Sequence, residues 1–459
     1  MRILLDPGVY DLRNNGDVTL LQVATRRLTQ FWPDARIEVL TSAPHLLRLY
    51  CPNAFPVSPD QFYDWTFKAG KLDRLLRSLL LKMLRIRLEL RDETRHSVTA
   101  GGRSPRAAVP GRRCEAARTP MTPADASDPL EAQPTGGERQ DQNAGRRMLQ
   151  GVNLYVATSS PCMPGSCPEN ALRVLDRLET AAGLGITTVM VSQGLHPLND
   201  AQLRPRACAV LPLVDLIFTR DLEAELPLLR SMGVAPSRVV FTGDNGIELA
   251  YEGRAPIRGT GIGIGQQTGD YAGEADAHVE TIWRVVQEAA KRHNAKLISL
   301  PVSSTSHEQD RRRLRLLTGS QWHGHCRLWR LDPPIRLVET IQCCRVVVTG
   351  AFHPAVFALA QGIPAVCLAT SPVNQDMFTG LAGQFGPGCQ VVCLDGESSP
   401  QALVKAIDTA WHAAYEVRSA LLSSAVRHIR MGRSAYRQLY ELIESRQQEI
   451  KTVAETTAR

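Results

Sequence analysis

Residues 1–41 read MRILLDPGVYDLRNNGDVTLLQVATRRLTQFWPDARIEVLT, and this stretch decides the fold. Arg2 to Leu5 is a short apolar run halted by Asp6-Pro7, which reads as a strand. Asp6 to Gly16 is a loop rich in Gly, Asp and Asn. Asp17 stands where a helix N-cap belongs, and Leu20, Leu21, Ala24 and Leu28 follow at helical spacing. Ala35 to Thr41 supplies a second strand. Strand, helix, strand at this spacing predicts a parallel sheet.

The same alternation continues outward. Strands are expected at Val152–Val156, Thr187–Val191, Leu216–Phe218 and Arg238–Phe241, with helices at Glu169–Ala182 and from about 220 through Leu229. A linker carrying Gly253, Pro256, Gly259 and Gly261 opens a second half. There a glycine-rich strand, Gly261–Gly265, precedes strands at Lys296–Leu300, Arg327–Leu331, Arg345–Val348 and Ala365–Leu368. Helices at His278–Arg292, Asp310–Leu317, Ile335–Ile341 and His353–Gln361 alternate with them, and Pro400 to about Glu449 is helical and amphipathic. The expectation is an α/β protein of two doubly wound, Rossmann-like lobes: an N-terminal lobe over 1–250, a C-terminal lobe over 258–447 with a helical tail, and a flexible end at 448–459. The site is expected in the cleft between lobes. Residues 92–148 lack aromatics and are rich in Pro, Gly, Ser, Ala and charge, so they read as a disordered insertion.

Composition narrows the function classes. The chain has 459 residues, 43 % hydrophobic and 22 % charged, which suits globular lobes. No apolar run reaches the roughly 18 residues that span a bilayer. Met1 leads straight into the first strand with no secretory pattern, so a cytoplasmic location is expected. Net charge is +7, with only seven lysines among the 53 cations, and no basic stripe carries interleaved aromatics, so nucleic acid is not an expected partner. The eleven cysteines lack paired C-x-x-C spacing and read as buried thiols, so neither a metal nor another cofactor is expected. Residues 72–90 (LDRLLRSLLLKMLRIRLEL) fit either a core-facing helix or a helix making peripheral membrane contact.

Chemistry concentrates in the loops after strands. Asn14-Asn15-Gly16-Asp17 follows the first strand and opens a helix, where backbone N–H groups favour anions; it also reads as an Asn-Gly turn with a cap. Thr349-Gly350-Ala351-Phe352-His353-Pro354 follows a buried strand. His353 meets the positive end of a helix there, which should keep its imidazole neutral and fit to move a proton. A capping or packed histidine is the other reading. Ser192-Gln193-Gly194-Leu195-His196-Pro197, Thr219-Arg220-Asp221 and Thr242-Gly243-Asp244-Asn245 follow strands of the first half.

Taken in order, these segments resemble the polysaccharide pyruvyl transferase family: N-x-G-D before a helix, a G-Q-G-like turn at 192–197, R-D at 220–221, Asp244, then T-G-x-x-H and A-x-x-x-G-x-P over 349–364. The resemblance implies a GT-B-like fold and transfer of a pyruvyl group from phosphoenolpyruvate to sugar hydroxyls of a glycan or its precursor. It also implies His353 as acid/base, and Asn15, Gly16, Asp17, Gln193, Arg220, Asp244, Gln267, Thr349 and Gly350 as donor or substrate contacts. Ala351 and Gln267 stand where the family has arginines, and Asn374 and Gln375 where it often has a lysine. The glycine run expected after the strand at 152–156 is Ser159-Ser160-Pro161-Cys162. A lost arginine–anion bond is worth about 1.5–3 kcal/mol. Arg220, Arg254 and Arg258 are the candidate replacements. The departures keep two alternatives open: a glycosyltransferase using a nucleotide sugar, and an inactive relative that binds glycan or a protein partner. The oligomeric state has no signal in the sequence.

Overall fold

A computed structural model of the chain describes residues 1–59, 146–158, 168–195, 198–255, 259–265, 275–300, 334–394 and 399–457. The first sheet grows from β1 (Arg2–Asp6), which pairs in parallel with β2 (Arg36–Leu40) on one side and β4 (Leu154–Thr158) on the other. Beyond them lie β3 (Phe55–Val57) at one edge, and β5 (Thr187–Gln193), β6 (Leu216–Thr219) and β7 (Val239–Phe241) toward the other. The order β3-β2-β1-β4-β5-β6-β7 reverses direction between β1 and β4. Ligands of doubly wound sheets bind outside such a switch point. Ile3 and Leu5 face one apolar core and Leu4 the other, so the strand is apolar throughout rather than alternating.

The helices of this lobe are α1 (Asn15–Phe31), α2 (Pro44–Tyr50), α3 (Pro168–Gly183), α4 (Leu203–Val210), α5 (Leu222–Ser231) and α6 (Gly246–Glu252). The N-cap of α1 is Asn14, not Asp17. The Asn14 side chain accepts from the N–H groups of Gly16 and Asp17 and leaves Asp17 inside the first turn, near the positive helix end.

The second sheet has the order β12-β11-β10-β8-β9 among the described residues, all parallel. Its strands are β8 (Gly261–Gly265), β9 (Leu297–Ser299), β10 (Cys344–Thr349), β11 (Ala365–Ala369) and β12 (Cys389–Cys393). Its helices are α7 (Ala275–Arg292), α8 (Pro334–Ile341), α9 (Phe352–Ala360), α10 (Pro372–Phe385) and α11 (Ser399–Ala413). The switch point lies between β8 and β10. Period two explains the β8 sequence. Ile262 and Ile264 face the core under α7 and α11. Gly263 and Gly265 face the other way, where a Cβ would press on Cys344 Sγ, Leu300 or Thr349 Oγ1.

The last helix, α12 (Arg418–Thr457), changes the expected domain plan. Leu421, Ala425 and Ile429 pack in the second lobe, but Ala435, Tyr436, Leu439 and Ile443 complete the core of the first. Its helical hydrogen bonding runs to Thr457, through the stretch expected to be a flexible end from 448. Residues 146–149 are helical, and 146–148 of them fall inside the stretch expected to be disordered. The rest of that stretch, residues 72–90 and the elements expected at 310–317 and 327–331 lie outside the described residues.

Candidate active site

The two switch points face each other. The loop after β1 ends in the start of α1, the loop after β10 ends in the start of α9, and His353 rests on Gly16. A Cβ at Gly16 would overlap the imidazole ring, so only glycine admits this approach. The turn that delivers His353 is fastened by Thr349, whose Oγ1 accepts from the Ala351 N–H at 2.9 Å, and by Gly350, whose N–H donates to Gly265 O at 3.1 Å.

His353 keeps 12 % of its side chain exposed. Its Nε2 lies 3.9 Å from Asp244 Oδ2 and has no hydrogen-bond partner among the described residues. The ring packs near Phe352 and Phe357 at centroid distances of 5.7 and 5.9 Å. Burial pushes its pKa below the ordinary 6.5; Asp244 and Asp17 pull upward, and Arg220 adds to the fall. The imidazole is therefore neutral at pH 7.

Asp244 is fixed from both oxygens. Oδ1 accepts from the Gly246 N–H at 2.7 Å, and Oδ2 accepts from Arg220 Nη1 at 3.3 Å. The Arg220 guanidinium lies over the Phe352 ring, 4.7 Å from its centroid, and against Gly194, where a Cβ would overlap it. Its backbone is held by both lobes: its N–H donates to Gln193 O, and its carbonyl accepts from Gln384 Nε2 of α10 at 2.9 Å.

Gly16, Asp17, Arg220, Asp244 and His353 thus converge. Gln193 reaches the site only through its backbone. Its side chain is fully buried and donates to Ala157 O and Val191 O within the sheet. Asn15 contributes its carbonyl to Thr19 Oγ1. Thr349 and Gly350 shape the turn. Arg254 is folded back on the Tyr251 ring and carbonyl. Ala351 is a buried methyl at the N-cap of α9. Asn374 is held locally: its N–H donates to the capping Ser371 Oγ and its side-chain amide to Thr370 Oγ1. His196, Pro197, Arg258, Gln267 and residues 159–162 lie outside the described residues.

Sequence reasoning missed three contributors. Ser192 ends β5 in the left-handed region, φ 55°, and its Oγ accepts from the Asn245 N–H. Such strain in a non-glycine residue costs about 1–3 kcal/mol and clusters at functional sites. Gln384 and Glu225 are the others. Among the described residues, buried polar atoms without partners include Asn245 Nδ2, Glu225 Oε2 and His353 Nε2 in the segments after strands, and Thr158 Oγ1, Gln193 Oε1 and Thr219 Oγ1 at the ends of β4, β5 and β6. Among the described residues no cluster of His, Cys, Asp and Glu could hold a metal ion, and no helix is long and apolar enough to cross a membrane.

Residues 165–372 match the model of the family described as polysaccharide pyruvyl transferase, which upholds the resemblance drawn from the motifs. The matched span contains Gln193, Arg220, Asp244 and His353. No curated protein matches the chain. Among solved structures, the chain is similar to a Listeria monocytogenes protein assigned as a UDP-N-acetylglucosamine 2-epimerase, at 11 % identity over 98 % of this chain and 97 % of that one, TM-score 0.58. It is also similar to a Neisseria meningitidis UDP-GlcNAc 2-epimerase solved with UDP-GlcNAc bound, at 11 % identity, 97 % and 100 % coverage and TM-score 0.53. A glycosyltransferase from Rickettsia africae shares 8 % identity, with 96 % and 98 % coverage and TM-score 0.53. At these identities the likeness is one of fold, and that fold is the two-lobed GT-B type.

Proposed function

We propose that this chain transfers a pyruvyl group from phosphoenolpyruvate to sugar hydroxyls, with His353 as the proton carrier and Arg220 as the cation that meets the donor. The observation behind it is the His353 imidazole, enclosed against Gly16 between the two switch points beside the Arg220–Asp244 pair. The donor's methylene carbon takes a proton and its C2 becomes cation-like. A sugar hydroxyl attacks C2 and loses its proton to a base. Phosphate then leaves, and a second hydroxyl closes the ketal and releases another proton. The neutral imidazole balances these steps as a relay: it takes the proton of the attacking hydroxyl and delivers that proton to the methylene carbon, then takes the proton of the second hydroxyl and gives it to the departing phosphate. Guanidinium suits the carboxylate or phosphate of the donor through charge-assisted bonds, and the first turn of α1 adds positive helix-end potential.

A second reading has a specific observation in its favour. Ala351 puts a buried methyl where the family has an arginine, so a nucleotide-sugar donor is the alternative. A thermal-shift comparison separates the two. Phosphoenolpyruvate at 100 times its dissociation constant should stabilise the protein by about 2.7 kcal/mol, and UDP-sugars should not. Phosphate release followed by 31P NMR should then fall about 100-fold or more in His353→Gln with donor affinity kept. Stabilisation by a UDP-sugar alone would replace the pyruvyl reading with the second.

A further inference from the structure

Glu225 sits in the first turn of α5, four residues past the Asp221 that caps the helix, and is 2 % exposed. Its Oε1 accepts from the Leu195 N–H at 3.0 Å. Its Oε2 is buried without a hydrogen-bond partner among the described residues. Leu195 adjoins Gly194, the residue on which the Arg220 guanidinium lies. Two carboxyls from separate elements therefore flank this one guanidinium: Asp244 at 3.3 Å from the loop after β7, and Glu225 of α5, bonded to the Leu195 N–H next to the Gly194 on which the guanidinium lies.

The two carboxyls live in different surroundings. Asp244 accepts from a backbone N–H and from Arg220. Glu225 accepts from the Leu195 N–H through Oε1, the Asp221 backbone also favours its charged form, and its Oε2 is buried without a hydrogen-bond partner among the described residues. Among the described residues, the charged groups acting on it are Arg220 and Asp221. Burial raises its pKa to about 8, against the pull of Arg220 and the Leu195 N–H; the Asp221 charge adds to the rise, and the Asp221 backbone hydrogen bond opposes it. A carboxyl buried this deeply, away from a full set of donors, favours its uncharged form.

We propose that Glu225 is kept as an uncharged acid so that its charge is not added to that of Asp244 beside Arg220, and that ionising Glu225 switches off anion binding there. This rests on the reading that the donor is an anion met by Arg220. Glu225 acts through Arg220 and is a positioning residue. Affinity for the donor is present below pH 8 and is lost as pH rises through it, because the protein must then regain a proton in order to bind.

The test is donor affinity against pH in the full chain, by calorimetry with phosphoenolpyruvate. In the wild type the dissociation constant should rise by up to about tenfold per pH unit above pH 8. In Glu225→Gln, which keeps the acceptor for Leu195 but cannot ionise, it should stay flat. Equal pH profiles in the two proteins overturn the proposal, as does a flat wild type. If phosphoenolpyruvate binds at no pH, the donor reading fails separately, and inorganic phosphate serves as the probe with the same two expected profiles. Difference infrared spectra then judge the acid itself. A buried protonated-carboxyl band that titrates near pH 8 and is missing from Glu225→Gln upholds it, and the lack of such a band overturns it.

Discussion

Gly16 owes its identity to space. Its φ is not in the left-handed region, so alanine suits its backbone. In a helix, alanine normally gains about 0.5–1 kcal/mol over glycine. Here a Cβ would overlap the His353 ring, and the sign should reverse. Gly16→Ala should destabilise by about 1–3 kcal/mol in urea unfolding. The same change in a His353→Ala background should be neutral or stabilising, since the clash has gone. A gain in both backgrounds would mean that the ring does not rest on α1. Acid acts on this pair in the same direction. Burial lowers the pKa of His353, so the unfolded chain takes up a proton first, and stability drops as pH falls below 6.5.

Among the elements, α12 carries the sharpest expectation. Tyr436 is fully buried and leans on Phe218, with the Arg27 guanidinium 5.1 Å from its ring centroid. Its hydroxyl is buried without a partner among the described residues. Tyr436→Phe keeps the ring and removes an unsatisfied group, so its melting midpoint should match or exceed the wild type. Tyr436→Ala opens a cavity and should cost about 3–5 kcal/mol. The sequence revealed that this region is helical but not where it packs. Amphipathic spacing shows that a face is buried and says nothing about which lobe buries it. The same distinction runs through the other elements. β1, β5, β8 and β10 were legible because both faces are apolar and glycines or polar residues end them. The short α2, β3 and α6 were not, nor were α4, α10 and β12, whose shape comes from tertiary contacts. His353, Arg220 and Asp244 could be read because each follows a strand. Glu225 could not, because one acid in a helical first turn is an ordinary sight until its burial is known.

At the scale of the whole molecule, one cluster built on a buried Glu248–Arg27 pair joins early, middle and late parts of the chain. Glu248 of α6 binds Arg27 of α1 at 2.5 Å, Arg26 at 3.0 Å and Arg433 of α12 at 2.7 Å. Arg27 also donates to Asn245, beside Asp244. Burial alone would raise the pKa of Glu248, but Arg27, Arg433 and Arg26 outweigh it and hold it below the ordinary 4.5. The folded carboxyl thus binds protons less readily than the unfolded one. Its contribution is present above pH 4.5 and is lost as pH falls through the lower folded value. Arg27→Met should cost about 3 kcal/mol at pH 7, because Glu248 stays buried with its most enclosed partner removed. Its deficit should shrink in unfolding curves below pH 4.5. An unchanged deficit at acid pH would assign the loss to packing of the arginine stem instead.

The return of α12 to the first lobe also orders events during synthesis. The face of that lobe carrying Phe218 gains its cover of Tyr436, Leu439 and Ile443 only after about two hundred further residues have been made. Until then the nascent lobe shows an oily strip to water or to a chaperone. A stalled or prematurely terminated product ending before residue 435 keeps that strip for good.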